Sequence, residues 1–210
     1  MPSTVRQLFE AVSGELHGPV RWMTPPDLKT ANEPGIYVAS LSADPDVMTT
    51  LASAPIDPLR IGEWLTACPN MTVDGNPARA QSVMDRLSEF WVPDETVLYI
   101  GKVEAGKGKR KRTIGKRVDE YFKTPLGASS RHSGGAWLKT LSCLGEISVF
   151  WAGHPHPPLA ESGMIEAFGE AMSQSSRKGI RDFACPFPFA NIRHPDTGRL
   201  KDHGLGKTTY

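Results

Sequence analysis

Two tyrosines hold equivalent places in two short apolar runs, Tyr37 in PGIYVAS (34–40) and Tyr99 in VLYIGK (97–102). A phenol repeated in that way is a candidate for chemistry on a surface the two strands share. Glu161, in LAESGMIEAFGEAM, lies three, four and seven residues before Met164, Ile165 and Phe168, which aligns it with the apolar face of a helix. A carboxylate in line with a core stripe is costly unless a cation or hydrogen-bond donors satisfy it. Between Lys102 and Arg117 stand eight basic residues, Lys102, Lys107, Lys109, Arg110, Lys111, Arg112, Lys116 and Arg117, against the single acid Glu104. Such a patch suits phosphate.

These residues belong to a chain of 210 residues, long enough for one domain, with or without a large insertion. Its net charge of +1 gives no warrant by itself for a nucleic-acid partner, so the local clustering carries that inference. No apolar run approaches the roughly 20 residues of a membrane helix, and MPSTVRQLFEAVSGEL has no signal-peptide core, so a cytoplasmic protein is expected. Cys68, Cys143 and Cys185 are odd in number and widely spaced, which predicts buried thiols and neither disulfides nor zinc.

The elements that must position the chemistry follow from periodicity. Val5, Leu8, Phe9, Val12 and Leu16 predict an amphipathic helix of three to four turns, followed by a Pro-rich loop through Pro25, Pro26 and Pro34. Residues 36–41 read as a strand with Ile36 and Val38 toward the core and Tyr37 on the other face. Residues 47–92 read as a helical insertion. Asp57-Pro58 starts one helix, Val83, Met84, Leu87 and Trp91 stripe a second, and NMTVDGNP turns between them. Residues 97–101 form a second strand, with Leu98 and Ile100 expected inward and Tyr99 outward. In TIGKRVDEYF the stripe is Ile114, Val118 and Phe122, flanked by Arg117 and Tyr121. A short helix is expected over 137–144 and a third strand through Ile147, Val149 and Trp151. Pro157-Pro158 then opens the Glu161 helix, and CPFPFANIRHPDTG is expected to be irregular and partly wrapped on the surface.

Taken in this order, Gly35-Ile36-Tyr37, Tyr99-Ile100-Gly101 with Lys102, Arg117 with Tyr121 four later, Glu161 at a helix start and Asn191 after a Pro/Phe segment resemble the GIY-YIG nuclease family, over about 34–195. The resemblance implies an α/β (α+β) fold with a small three-stranded antiparallel sheet flanked by helices. It divides the chain into an N-terminal helix and loop (1–33), a catalytic domain (34–195) and a C-terminal tail (196–210). It also implies a divalent metal, Mg²⁺ or Mn²⁺ in its place, and phosphodiester hydrolysis. The chain departs from compact members in its helical insertion, in its longer basic loop, and in carrying Tyr121 where some restriction-type members have a histidine. Insertions in this place look like the restriction-endonuclease branch.

Within that frame each residue has a chemical role. Glu161 is the metal ligand, since a single carboxylate with retained waters suits Mg²⁺. Arg117 would hold the scissile phosphate by a charge-assisted fork. Tyr37 orients or deprotonates the water, with Tyr99 and Tyr121 beside it and Lys102 nearby. A free phenol is a poor base at pH 7, short by about 3 units or roughly 4 kcal/mol. Asn191 holds the phosphate or a motif loop. Lys107, Lys109, Arg110, Lys111, Arg112 and Lys116 would drape along double-stranded DNA, and about four phosphate contacts would give a salt slope near −3.6 at ~0.9 per phosphate. A single centre cuts one strand, so a double-strand break requires a homodimer on DNA or a second binding event. The alternatives are a structure-specific repair or mobile-element nuclease, and a catalytically silent nucleic-acid-binding module. His132 reads as a surface histidine in a loop, His154, His156, His194 and His203 show no metal-ligand pairing on a helix, and HGLGKTT (203–209) lacks the spacing of a phosphate loop.

Overall fold

The computed structural model describes residues 3–22, 31–48, 51–106, 112–128 and 133–207. It is a mixed α/β structure with two antiparallel sheets. Seven helices occur among the described residues: α1 (Val5–Ala11), α2 (Pro58–Ala67), α3 (Ala80–Ser88), α4 (Ile114–Lys123), α5 (Ser133–Lys139), α6 (Pro157–Ala171) and α7 (Gln174–Gly179). The larger sheet runs β1 (His17–Arg21), β6 (Ser148–Gly153), β2 (Gly35–Ser40), β5 (Val97–Val103). The smaller runs β4 (Asn76–Pro77), β3 (Met71–Val73), β7 (Leu205–Lys207). None of these helices is long and apolar enough to cross a membrane.

β2 is central, and the larger sheet is covered on both faces. One face carries Ile36, Val38, Ile100, Phe150 and Ala152 against α1 and α6, where Met164, Ile165 and Phe168 of α6 meet them. Burying an apolar side chain of this size stabilises by about 1.5–3 kcal/mol, and these residues are essentially inaccessible. The other face carries Tyr37, Ala39, Val149 and Trp151 under α2, α3, α4 and α5. The period of two thus sorts the residues of β2 as expected, but both sides of the strand are core. The tyrosine face is not open to solvent: a second layer, built from the insertion and the segments after β5, lies over it.

Several expectations are corrected. The larger sheet has four strands rather than three. β1 escapes pattern reading because HGPVR contains Gly and Pro, is mostly exposed and pairs with β6 through an irregular register. α1 spans 7 residues, fewer than expected. Ser13 turns to φ 54°, and the N–H groups of Val12 and Gly14 close back on the Phe9 carbonyl. Leu98 packs on the tyrosine side, because the β2–β5 register shifts between Ala39 and Ser40 and throws Val97 and Leu98 to opposite faces from those that alternation assigns. On α4 it is Tyr121, not Phe122, that joins Ile114 and Val118 inside. Around 137–144 the helix ends at Lys139, and only a 3-10 turn at Leu144–Glu146 follows.

The insertion does start its first helix at Asp57, whose side chain accepts from the Leu59 N–H, with Pro58 in the first turn. It is not wholly helical. In VDGN, Asp74 and Gly75 both take positive φ, which makes a hairpin of β3 and β4. β7 adds to that hairpin, so the C-terminal segment and the insertion share one sheet. The Pro/Phe segment is irregular as expected but does not lie on the surface: Cys185, Phe187, Phe189, Ala190 and Asn191 are buried. Of the thiols, Cys68 and Cys185 are buried and Cys143 is partly exposed.

Candidate active site

β2 and β5 pair antiparallel with Tyr37 opposite Gly101 and Ala39 opposite Tyr99, so both phenols rise from the same face of adjacent strands. α4 crosses above them and adds Tyr121. The three rings pack at centroid distances of 5.8 Å (Tyr37–Tyr99), 5.4 Å (Tyr99–Tyr121) and 6.4 Å (Tyr37–Tyr121). Tyr121 O–H donates to the Tyr99 oxygen at 2.7 Å, which leaves the Tyr99 proton to be given elsewhere. The Tyr37 hydroxyl is buried and has no hydrogen-bond partner among the described residues.

Gly101 is what lets the rings meet. A Cβ there would stand 2.6 Å from Tyr37 Cζ, 2.6 Å from Tyr99 Cε1 and 2.8 Å from the Tyr37 oxygen. The glycine of the second motif is therefore a steric requirement of the two phenols. Gly135 is its counterpart on α5, where a Cβ would press Tyr121 Cδ1 at 2.9 Å.

Arg117 stands one turn before Tyr121, with its guanidinium carbon 5.1 Å from the Tyr121 ring centroid and its Nη1 3.6 Å from Glu120. Burial acts to lower its pKa, the phenols Tyr37, Tyr121 and Tyr99 act to raise it, and the net direction is upward. Burial pushes the Tyr37 and Tyr99 phenols well above their ordinary value and raises Tyr121 as well. Arg117 opposes this at Tyr37 and Tyr121 without overcoming it. At neutral pH the cluster is three neutral hydroxyls beside a fixed cation. Neutral hydroxyls of this kind orient a ligand by donating to it, the positioning half of the role expected of Tyr37.

Lys102 follows Gly101 on β5 and Glu161 comes from the first turns of α6; Lys102 Nζ lies 3.2 Å from Glu161 Oε2 and 3.7 Å from Glu104. The Glu161 side chain is 12% exposed. Burial raises its pKa, against the pull of Lys102 and with the further push of Asp196 and Glu104. Its charge adds to the upward push on all three phenols, behind the effect of burial. Glu161 is thus a largely buried carboxylate with Lys102 as the cation beside it.

Asn191 has a different position from one facing phosphate. Its Oδ1 accepts from Ile100 N–H at 2.8 Å and its Nδ2 donates to Ile100 C=O at 2.7 Å. The side chain thereby mimics a neighbouring strand at the edge of β5, while Ala190 N–H donates to Leu98 C=O at 2.8 Å. Of the two roles expected of Asn191, it fills that of holding a motif strand.

Arg112 and Lys116 are exposed near the start of α4. Lys107, Lys109, Arg110, Lys111 and His132 lie outside the described residues. Sequence reasoning missed Asp196, which accepts from Ser162 Oγ beside Glu161, and Lys201, whose Nζ donates to the carbonyls of Phe187 (3.4 Å), Pro188 (2.8 Å) and Phe189 (3.1 Å) just before Asn191. Neither has a local signal, because both act across long sequence separations.

The donor set can be tested against a metal. Among the described residues no three His, Cys, Asp or Glu converge as ligands, which does not suit zinc. A single carboxylate, 12% exposed and therefore reached by water, does fit Mg²⁺ or Mn²⁺ that keeps most of its waters. Glu161 is the residue that would hold it. No protein-family profile, curated protein or solved structure matches the chain.

Proposed function

We propose that the protein is a metal-dependent endonuclease acting on double-stranded DNA, of the GIY-YIG kind and of restriction type. The observation that carries this is the convergence of Tyr37, Tyr99, Tyr121 and Arg117 on one face of β2 and β5, with Glu161 paired to Lys102 of the same strand β5. Support also comes from the antiparallel pairing of the two motif strands, β2 and β5, within one sheet.

Phosphodiester hydrolysis needs a positioned water, charge neutralisation on the phosphoryl oxygens and help for the departing alkoxide. Arg117, held cationic among three phenols, meets the phosphoryl charge. The Tyr99 proton, freed by the Tyr121 hydrogen bond, is available to a phosphoryl oxygen or to the attacking water. Tyr37, neutral, orients the water as a hydrogen-bond donor. A divalent ion held by Glu161 would supply Lewis-acid polarisation and a more acidic water. Lys102 favours the ionised form of Glu161, against burial, and holds its carboxylate at 3.2 Å. The exposed Arg112 and Lys116 offer cations to the phosphates of a duplex. Cutting both strands would need a homodimer or a second binding event.

A second reading, a binding module that does not cut, is favoured by one observation: Tyr37 is wholly enclosed. Supercoiled plasmid incubated with the protein in Mg²⁺ or in EDTA separates the two. Nicking in Mg²⁺ alone supports the nuclease, and retarded but intact DNA in both supports the module. Discrete fragments from a long plasmid support restriction-type specificity, whereas a smear or a preference for branched DNA supports a structure-specific nuclease.

A further inference from the structure

A cavity of about 410 Å³ lies against the tyrosine cluster, between α2, the end of α4, α5 and β7. That volume is within the ~300–1,000 Å³ range of small-ligand sites. Its wall includes the aromatic rings of Trp64, Tyr121, Trp137 and His203, with Trp137 and His203 edge to face at 6.0 Å. Gly135 and Gly206 leave backbone rather than side chain on part of the lining. Lys139 is the one cationic side chain there, anchored on the carbonyls of Phe122 (3.0 Å) and Thr124, and no carboxylate is among the described lining residues.

His203 gives the cavity a defined polar edge. Its Nδ1 accepts from Leu205 N–H at 3.0 Å, which assigns the ring proton to Nε2 as a donor. Burial lowers its pKa, in keeping with a neutral ring. The occupant such a site fits is flat, uncharged and heteroaromatic, with hydrogen-bond acceptors at its edge, and attached to something that tolerates a nearby cation. Tyr121 is shared with the candidate centre, since its hydroxyl bonds Tyr99 on the other side of the ring.

We propose that this cavity receives a single nucleobase swung out of the strand bound at the candidate centre. The proposal rests on the nuclease reading for the strand and on the cavity for the base. Stacking on the aromatic wall retains the base, and a base seated there fixes the register of the strand against Arg117 and Tyr99. The cavity thereby acts as a specificity site.

The test measures affinity by fluorescence anisotropy in EDTA, so that no cutting is required, for two duplexes that differ only in one bulged nucleotide, adenine or abasic. The base-bearing bulge is expected to bind the wild type about tenfold more tightly, the order of one stacked base. Ala136→Trp, which fills the cavity from α5, is expected to remove the difference. Ala128→Trp is the second filler, used if the first melts early. Equal binding of the two bulges by the wild type, or a preference that survives both fillers, overturns the proposal. If no duplex binds, the nuclease reading fails, and adenosine 5′-monophosphate then tests the cavity through tryptophan fluorescence. Saturable quenching that the fillers abolish supports a base site, and no quenching overturns it.

Discussion

The Tyr37 hydroxyl is the most exacting single atom in this protein. It is enclosed, it has no partner among the described residues, and its neighbours leave no room for a side chain at Gly101. A buried hydroxyl without a partner costs about 1–3 kcal/mol, so the fold gains nothing from it. Tyr37→Phe is therefore predicted to raise stability by about 1 kcal/mol in denaturant unfolding, while plasmid nicking falls by at least roughly 10²-fold. A variant that is less stable and fully active would show the hydroxyl to be structural. Glu161 makes a pH prediction with a definite sign. Only the ionised carboxylate can hold a cation, and burial raises its pKa, so cleavage should fall with decreasing pH along a limb lying above the ordinary carboxylate range. Glu161→Asp should move that limb, whereas Lys123→Gln, far along α4, should not. At this scale the sequence was legible where a local period fixes direction: Tyr37 against Ile36 and Val38, and Glu161 in line with Met164, Ile165 and Phe168. It was not legible that the tyrosine face is covered, because the covering residues come from remote segments.

At the scale of elements, β5 is an edge strand whose neighbour is a side chain. Asn191 satisfies both backbone groups of Ile100, between Tyr99 and Gly101, and so holds the second motif in register. Asn191→Ala should orphan a buried donor and a buried acceptor, lowering stability by about 2–3 kcal/mol in thermal or chemical unfolding. Hydrogen exchange at the Ile100 amide should accelerate more than at Val38 on the central strand; equal acceleration would mean the clamp is not local. Helix starts were readable here, as Asp57-Pro58 illustrates, and so was the turn at Asp74-Gly75. The strands β1 and β7 were not. Each lacks an alternating apolar pattern and exists because a partner strand from elsewhere offers its hydrogen bonds.

The whole molecule is tied together by its C-terminal segment, which returns across the insertion as β7 and threads Phe187 to Asn191 through the core. Lys201 fastens that segment, with its ammonium on three carbonyls and 5.7 Å from the ring centroids of both Phe90 and Trp137. Burial pulls its pKa down to about 7, with Cys185 and Asp182 acting the other way. An unfolded lysine keeps its proton to about pH 10.5, so between pH 7 and that value the unfolded chain binds more protons and stability should rise with pH. Unfolding from pH 7 to 9 is predicted to show a rise of about 1 kcal/mol per unit in the wild type that Lys201→Met lacks; parallel curves would remove Lys201 as the source. The central claim, that Glu161 and the tyrosine cluster form one metal-dependent centre, is met most directly by comparing Glu161→Gln with the wild type on supercoiled plasmid across a Mg²⁺ titration. The account predicts that the wild type nicks in a Mg²⁺-dependent manner and that the variant, equally folded by circular dichroism, binds the DNA and leaves it intact. Equal cutting by the two proteins, or cutting by the wild type that EDTA does not stop, would contradict it.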